Sequence, residues 1–381
     1  MTSPEAAPSF RAWIHGSPPF PSTLSLVQQS PPKPAELKPH ELLVEIHTAA
    51  LNPVDVQFRN LSIFRLPALS YPHGLGCDFA GVVLGRGKDV KDLPIGSQVM
   101  GVTLNPLADA NGGTLSEICV VDTTRSTVII KPPHLSWVQA AALPLAFLTA
   151  KTVLSAPYLV LPPSASPEPS APADHTTQPT IAVLGGSTAV GQHVVQLASK
   201  RLHFRVVATC SSDNAEFVRS LGASDIVDYR AGDVAAQLTA LRPSEGYLSI
   251  IDCVGGRAVL DHASSLVAPR TRAFSAGGSF TTLVGDKTAR SALGGSWLYL
   301  SHPAMLVRML RGWAGYGVRY ACIMFRNDRG WLAEVGHLVA DEGFEVVVDS
   351  EFQFEEVEQA FERLNTGRTR GKVVVHVKQQ G

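Results

Sequence analysis

Thr180–Ala198 reads TIAVLGGSTAVGQHVVQLA. Ile181-Ala182-Val183-Leu184 is an apolar run of the length a buried parallel strand needs. A glycine-rich turn follows, Gly185-Gly186-Ser187-Thr188-Ala189-Val190-Gly191, and then Val190, Val194, Val195, Leu197 and Ala198 recur at helical spacing. Strand, glycine-rich turn and helix in that order predict a dinucleotide-binding unit. Such a turn lets backbone N–H groups approach a pyrophosphate, and the helix N-terminus adds unpaired donors and partial positive charge. The usual G-x-G-x-x-G is absent from this turn, which carries Ser187, Thr188 and Ala189 between its glycines. Taken alone, the motif also reads as an ordinary strand-to-helix turn.

Beyond this stretch the pattern repeats as strand and helix. Strands are expected at Phe204–Thr209, Ile226–Tyr229, Leu248–Gly256 and Thr271–Ala276. The helices between them are Ala215–Leu221, stopped at Gly222, then Val234–Leu241 and Ala258–Val267. Alternation of this kind predicts a parallel sheet covered by helices on both faces. Towards the N-terminus the period is different. Leu42–Thr48, Pro72–Leu84, Leu93–Gly101 and Gly112–Val121 are short strands with Gly and Pro turns, which predicts an all-β region, a small barrel. Ser136 is placed to cap a helix over residues 136–144, interrupted at Pro144 and resumed over Leu145–Leu154. Ser155–Pro179, rich in Pro, Ser and Ala, reads as a flexible surface insertion, with an active-site lid as the alternative. The chain then gives a helix at Trp331–Asp341, a strand at Phe344–Asp349, an amphipathic Glu355–Leu364 and a closing strand at Gly371–Val377 that could rejoin the first domain.

Length and composition fit this outline. A chain of 381 residues suggests two domains, and a net charge of −1 without a basic block argues against a nucleic-acid partner. No apolar run approaches the roughly 20 residues of a membrane span. Met1–Phe20 lacks the apolar segment of a secretory signal and the several arginines of a transit peptide, so it reads as a disordered leader. Cys77, Cys119, Cys210, Cys253 and Cys322 are odd in number and far apart, as for reduced thiols in a cytoplasmic compartment; a mitochondrial address is the alternative.

Cofactor choice is legible at the end of the second strand of the repeat. A site that prefers NAD places Asp or Glu there, whereas this chain has Thr209-Cys210-Ser211-Ser212, uncharged and rich in hydroxyls. NADPH is therefore expected over NADH; Asp213 weakens the case slightly, and the same residues suit a simple turn. Zinc is not expected. His47, His73, Cys77 and Asp78 lack a partner Cys in the Asn52–Asp55 loop, and no two cysteines are spaced as C-x-x-C. No G-x-S-x-G occurs, and Tyr229, Tyr320 and Lys372 are individually weak candidates for a proton donor, so the catalytic residue stays unassigned.

Asn52-Pro53-Val54-Asp55, Gly76-x-Asp78-x-Ala80-Gly81-Val82-Val83, Gly113-Thr114-Leu115-Ser116-Glu117 and Ala141-Ala142-Leu143-Pro144 resemble the medium-chain dehydrogenase/reductase superfamily, in its zinc-free quinone oxidoreductase-like branch. Leu221–Tyr229, Asp252-x-Val254-Gly255-Gly256 and Gly367–Val374 are similar to the reticulon-interacting mitochondrial oxidoreductases. Ser187–Gly191 and Cys210-Ser211-x-x-Asn214 also resemble the stand-alone trans-enoyl reductases of fungal polyketide pathways. The resemblance implies a GroES-like β-barrel domain built from both ends of the chain and a doubly wound Rossmann domain between them, with NADPH in the cleft. The boundaries it suggests are 1–21 for the leader, 22–150 and 326–381 for the barrel domain, 151–179 for the insertion and 180–325 for the Rossmann domain. Carried over by position, Gly185, Ser187, Thr188, Ala189, Val190, Gly191, Ser211, Ser212, Asn214 and Tyr229 would hold the phosphates and the phosphoribose. Asn52 and Val254 would lie near the nicotinamide, and Phe325, Arg370 and Lys372 would close the cleft. Hydride transfer to a quinone or enone is the expected activity, and a conjugated acceptor needs positioning more than a metal. Reduction of a carrier-bound enoyl chain and NADPH sensing without turnover are the alternatives. Thr282–Trp297 and Trp313–Phe325 are the expected walls of the acceptor site, and relatives of this kind are monomers or homodimers.

Overall fold

Residues 9–16, 24–57, 73–104, 113–162, 178–286, 299 and 302–378 are described by the computed structural model. The strands run, in chain order, β1 (Phe10–His15), β2 (Leu24–Gln29), β3 (Glu41–Leu51), β4 (His73–Gly74), β5 (Asp78–Arg86), β6 (Gln98–Val102), β7 (Ile118–Asp122) and β8 (Thr127–Ile130). They continue as β9 (Thr180–Leu184), β10 (Arg205–Cys210), β11 (Asp225–Asp228), β12 (Ser249–Asp252), β13 (Ser279–Thr282) and β14 (Arg319–Cys322), and end with β15 (Val348–Gln353) and β16 (Lys372–His376). Two compact units divide the chain. One comprises Met1–Leu145 with Asn327–Gly381, the other Ala146–Arg326.

In the first unit a seven-stranded sheet has the order β15-β16-β3-β5-β6-β8, with β7 also paired to β3. β16 lies antiparallel to β3, so Val374 faces Ala50 and the end of the chain is laid beside the Leu51–Asn52 corner. Val44, Ile46, Leu75, Phe79, Val373, Val375 and Phe361 fill the core. Two readings from sequence are corrected in this unit. Phe10–His15 is not leader: β1 pairs with β2 and β4, and the Trp13 indole is buried and donates to Phe354 O at 2.8 Å. Apolar Phe10, Ala12 and Trp13 supply the buried face that sequence inspection overlooked among prolines and serines. The strand expected at 344–349 begins only at Val348, because Phe344 is buried and its N–H caps Leu338 O at 3.1 Å at the end of helix Arg329–Asp341.

Ser136 caps helix Trp137–Ala142 as expected, with Gln139 N donating to its hydroxyl at 3.1 Å. Pro144 opens a new helix, Pro144–Val153, at a position where no N–H is missed.

The second unit carries a six-stranded parallel sheet in the order β11-β10-β9-β12-β13-β14. Every residue of β9 is buried, as a central strand covered on both faces requires. Counted from β9 the order is 3-2-1-4-5-6, so the connections reverse direction between β9 and β12, and ligands bind such sheets beyond the strand ends at that point. Ile250, Tyr247, Phe280 and Tyr320 pack its core. The fifth strand is Ser279–Thr282 and not 271–276, most of which is exposed; Ser279, Phe280, Thr281 and Thr282 are all buried beside β12. Arg319–Cys322, within the segment expected as an acceptor-site wall, is the sixth strand. The helix expected over 258–267 reduces to a 3₁₀ turn, Leu260–His262, and one α-turn, Ala263–Leu266. Of the expected insertion, 163–177 lies outside the described residues, as do 1–8 and 17–21 of the expected leader and 287–297 of the other expected wall. Among the described residues no helix is long and apolar enough to cross a membrane.

Candidate functional site

Beyond β9 the chain turns at Gly185, whose φ of +86° is open chiefly to glycine. A Cβ there would stand 2.5 Å from Val254 Cγ1, so the turn and the loop after β12 meet at the point where the strand order reverses. Thr209 at the end of β10 anchors the turn. Its hydroxyl accepts from Gly185 N at 2.8 Å and its carbonyl from Gly186 N at 2.8 Å. Helix Ala189–Gln196 then starts under Thr188, whose hydroxyl donates to Gly185 O at 2.8 Å and accepts from Gly191 N at 3.1 Å. Sequence reasoning gives that hydroxyl to a phosphate; the structure gives its proton to the Gly185 carbonyl and its lone pair to the cap. At Gly191 a Cβ would lie 2.1 Å from Gly185 O, so only glycine lets the helix come this close to the turn.

Three donors are left over. The N–H groups of Ser187, Ala189 and Val190 have no hydrogen-bond partner among the described residues, and these residues are only half-buried. Gln192 Nε2 donates to the Ser187 carbonyl at 2.8 Å. Unpaired amides at the positive end of a helix fit a pyrophosphate.

Asp252, at the end of β12, organises the neighbouring loop. Its Oδ1 accepts from Val254 N at 3.0 Å and Gly255 N at 2.8 Å, and its Oδ2 accepts from the Thr282 hydroxyl at 2.7 Å. Burial pushes the Asp252 carboxyl up, against these bonds. Val254 is thereby held with 49% of its surface exposed. Sequence reading takes Asp252 only as part of a family motif; its place before two glycines at a buried strand end is the signal for the turn it makes.

At the end of β10, Cys210 is in register with Asp228, and Tyr229 N donates to Cys210 O at 3.3 Å. This sets Tyr229, 52% exposed, beside Ser211, Ser212 and Asn214. Ser211 is buried and accepts from Asn214 Nδ2 at 3.4 Å. Sequence reasoning missed Arg230, whose guanidinium lies 5.6 Å from the Tyr229 ring centroid and donates to Asp213 at 3.1 Å. The signal was a cation directly after the third strand. Phe325, half-buried, follows β14 in the same unit.

The remaining expected residues lie in the first unit. Lys372 Nζ donates to Asn52 Oδ1 at 2.6 Å and to Asp78 Oδ2 at 2.9 Å. Asn52 Nδ2 donates to Asp78 Oδ2 at 3.0 Å and to Ala50 O at 3.3 Å, while Asp78 Oδ1 accepts from Leu145 N at 2.9 Å. All three side chains are buried, so the Asn52 amide is engaged within the protein. Asp55, in helix Pro53–Gln57, accepts from Asn52 N at 2.7 Å, and its Oδ1 is buried without a hydrogen-bond partner among the described residues. Burial pushes the Asp55 carboxyl up to about 6, against the Cys77 thiol, the Asn52 N–H and the Lys372 charge. Arg370 is exposed and its N–H donates to Asp349, which Arg363 grips through two bonds of 2.7 Å.

Other candidates are placed in structural roles. Tyr320 is buried against Phe280, and burial pushes its hydroxyl up. Burial likewise pushes the Cys210 thiol up to about 11, opposite to what a nucleophile needs. Among the described residues no three His, Cys, Asp or Glu side chains converge as a metal-binding group.

Two family models match the chain: an alcohol dehydrogenase GroES-like domain over residues 38–132, and a zinc-binding dehydrogenase over 221–375. A zinc-type alcohol dehydrogenase-like protein of Schizosaccharomyces pombe is 30% identical over 355 residues, 90% of this chain and 89% of that protein. The human mitochondrial NAD(P)H oxidoreductase RTN4IP1 is 30% identical over 354 residues, 89% of this chain and 82% of its own. Among solved structures, the quinone oxidoreductase from Coxiella burnetii superimposes with a TM-score of 0.74 at 26% identity, over 97% of this chain and 100% of its own. The Escherichia coli quinone oxidoreductase complexed with NADPH shares the fold, with a TM-score of 0.71 at 20% identity over 96% of this chain and 99% of its own.

Proposed function

Because the chain belongs to the medium-chain dehydrogenase/reductase superfamily, in its quinone oxidoreductase-like branch, we propose that it is an NADPH-dependent oxidoreductase acting on a quinone or an α,β-unsaturated carbonyl. The observation that carries this reading is the set of unpartnered N–H groups at Ser187, Ala189 and Val190, at the start of a helix and at the reversal point of a parallel sheet. These amides would hold the pyrophosphate. Ser211 and Tyr229 would serve the adenosine phosphate, and the exposed Val254 offers an apolar face kept in place by Asp252. A bound NADPH would supply hydride from its nicotinamide ring. Asn52 and Lys372 would act by holding the 52–57 corner, since their polar atoms are bonded to each other and to Asp78.

The test is NADPH consumption, followed by its absorbance, with 9,10-phenanthrenequinone and with an enoyl thioester, free and carrier-bound. Turnover with the quinone supports the proposal. Turnover with the carrier-bound enoyl chain alone replaces it with the enoyl-reductase reading. Binding of NADPH without consumption by any acceptor replaces it with a sensor.

A further inference from the structure

We propose that the Asp213–Arg230 ion pair sets the choice between the 2′-phosphorylated dinucleotide and the plain one: Arg230 supplies the cation for the phosphate, and Asp213 competes with the phosphate for that cation. This rests on the reading that a dinucleotide occupies the turn after β9. In a doubly wound sheet the adenosine ribose of such a ligand then falls at the end of the second strand, which here is β10. The neutral residues there are Ser211, Ser212 and Asn214, and the register of β10 with β11 brings Tyr229 and Arg230 alongside them.

Asp213, Asp228 and Arg230 are charged groups of this corner, and the Arg219 charge also acts on Cys210 at the end of β10. The Asp228 carboxylate is bound to Arg230 N at 2.8 Å, and the Asp213 carboxylate to the guanidinium at 3.1 Å. Without the Arg230 guanidinium a phosphate would still meet the Asp213 and Asp228 carboxylates, without the cation that Asp213 now holds. A guanidinium has five N–H donors, and Asp213 takes one of them. Both partners are well exposed, at 50% for Arg230 and 77% for Asp213. An exposed pair of this kind holds weakly and can be exchanged for a phosphate, which accepts from Arg through two bonds at once. The Tyr229 ring keeps the cation near the strand end. The ribose hydroxyl of an unphosphorylated dinucleotide could instead donate to Asp213, so the pair offers one group to each ligand.

Calorimetric titration with 2′,5′-ADP and 5′-AMP tests this without turnover. Arg230→Ala and Arg230→Gln should weaken 2′,5′-ADP by about tenfold or more, as loss of a charge-assisted pair implies, and leave 5′-AMP unchanged. Asp213→Asn should tighten 2′,5′-ADP and weaken 5′-AMP. The inference is overturned if the wild type binds 2′,5′-ADP and both Arg230 variants bind it equally well, or if Asp213→Asn weakens it; the cofactor reading then stands. A wild type that binds neither fragment overturns both.

Discussion

Replacing Lys372 by Met tests whether the end of the chain locks the barrel unit together. The ammonium makes bonds of 2.6 Å to Asn52 and 2.9 Å to Asp78, and Asp78 has no exposed surface through which water could take its place. Lys372→Met is nearly isosteric, so the loss is electrostatic: Asp78 keeps Asn52 Nδ2 and Leu145 N but no cation. Removing one partner of a buried ion pair costs about 3–5 kcal/mol. For a unit of this size about 2–4 °C is lost per kcal/mol, so its transition should fall by roughly 6–20 °C. Scanning calorimetry is the assay, because in a chain of two compact units it separates transitions that a single midpoint would merge. Asp78→Asn added to Lys372→Met removes the stranded charge and should restore a good part of the loss, as a double-mutant cycle would quantify. A fall of less than about 2 °C for Lys372→Met, well below the range expected of a buried pair, would refute the reasoning, and so would a double variant no more stable than the single one.

Asp55 gives a pH prediction of opposite sign to ordinary acid denaturation. Its carboxyl titrates at about 6 in the folded protein against an ordinary 3.8, so the stability that goes with its protonated form is fully present below 3.8 and lost as pH rises through 6. Asp55→Asn should therefore melt higher than wild type above neutrality, by about 3 kcal/mol at most, with the gap closing in urea titrations near pH 4. Gly185→Ala forces a side chain into φ +86° and within 2.5 Å of Val254, so it should cost about 1–3 kcal/mol and abolish the thermal shift produced by NADPH. Thr188→Val keeps the shape of the cap without its two hydrogen bonds; a loss of about 1 kcal/mol in chemical denaturation is expected.

The parallel unit was legible because its signals are local. β9 is an uninterrupted apolar run, and Gly185 and Gly191 sit where a tight turn and a close helix approach require them. The missed elements lacked such signals. Phe10–His15 lies among prolines and serines, and its burial depends on Leu115 and Phe354, more than a hundred positions away. Ser279–Thr282 carries a single large apolar residue, and becomes a strand because β12 and β14 flank it.

The candidate site divides in the same way. From sequence alone came the strand, turn and helix that leave amides unpaired, since backbone geometry follows from residue type over a few positions. Which polar groups remain available was decided only by tertiary structure. The Thr188 proton goes to Gly185 O, and Lys372 pairs across 320 positions with Asn52 and across 294 with Asp78. Arg230 comes to Asp213 because β10 and β11 lie in register. Hydrogen bonds and ion pairs are short-range, so a side chain's chemistry depends on neighbours within a few ångströms. Those neighbours are set by strand order and register, which residue type along the chain does not encode locally.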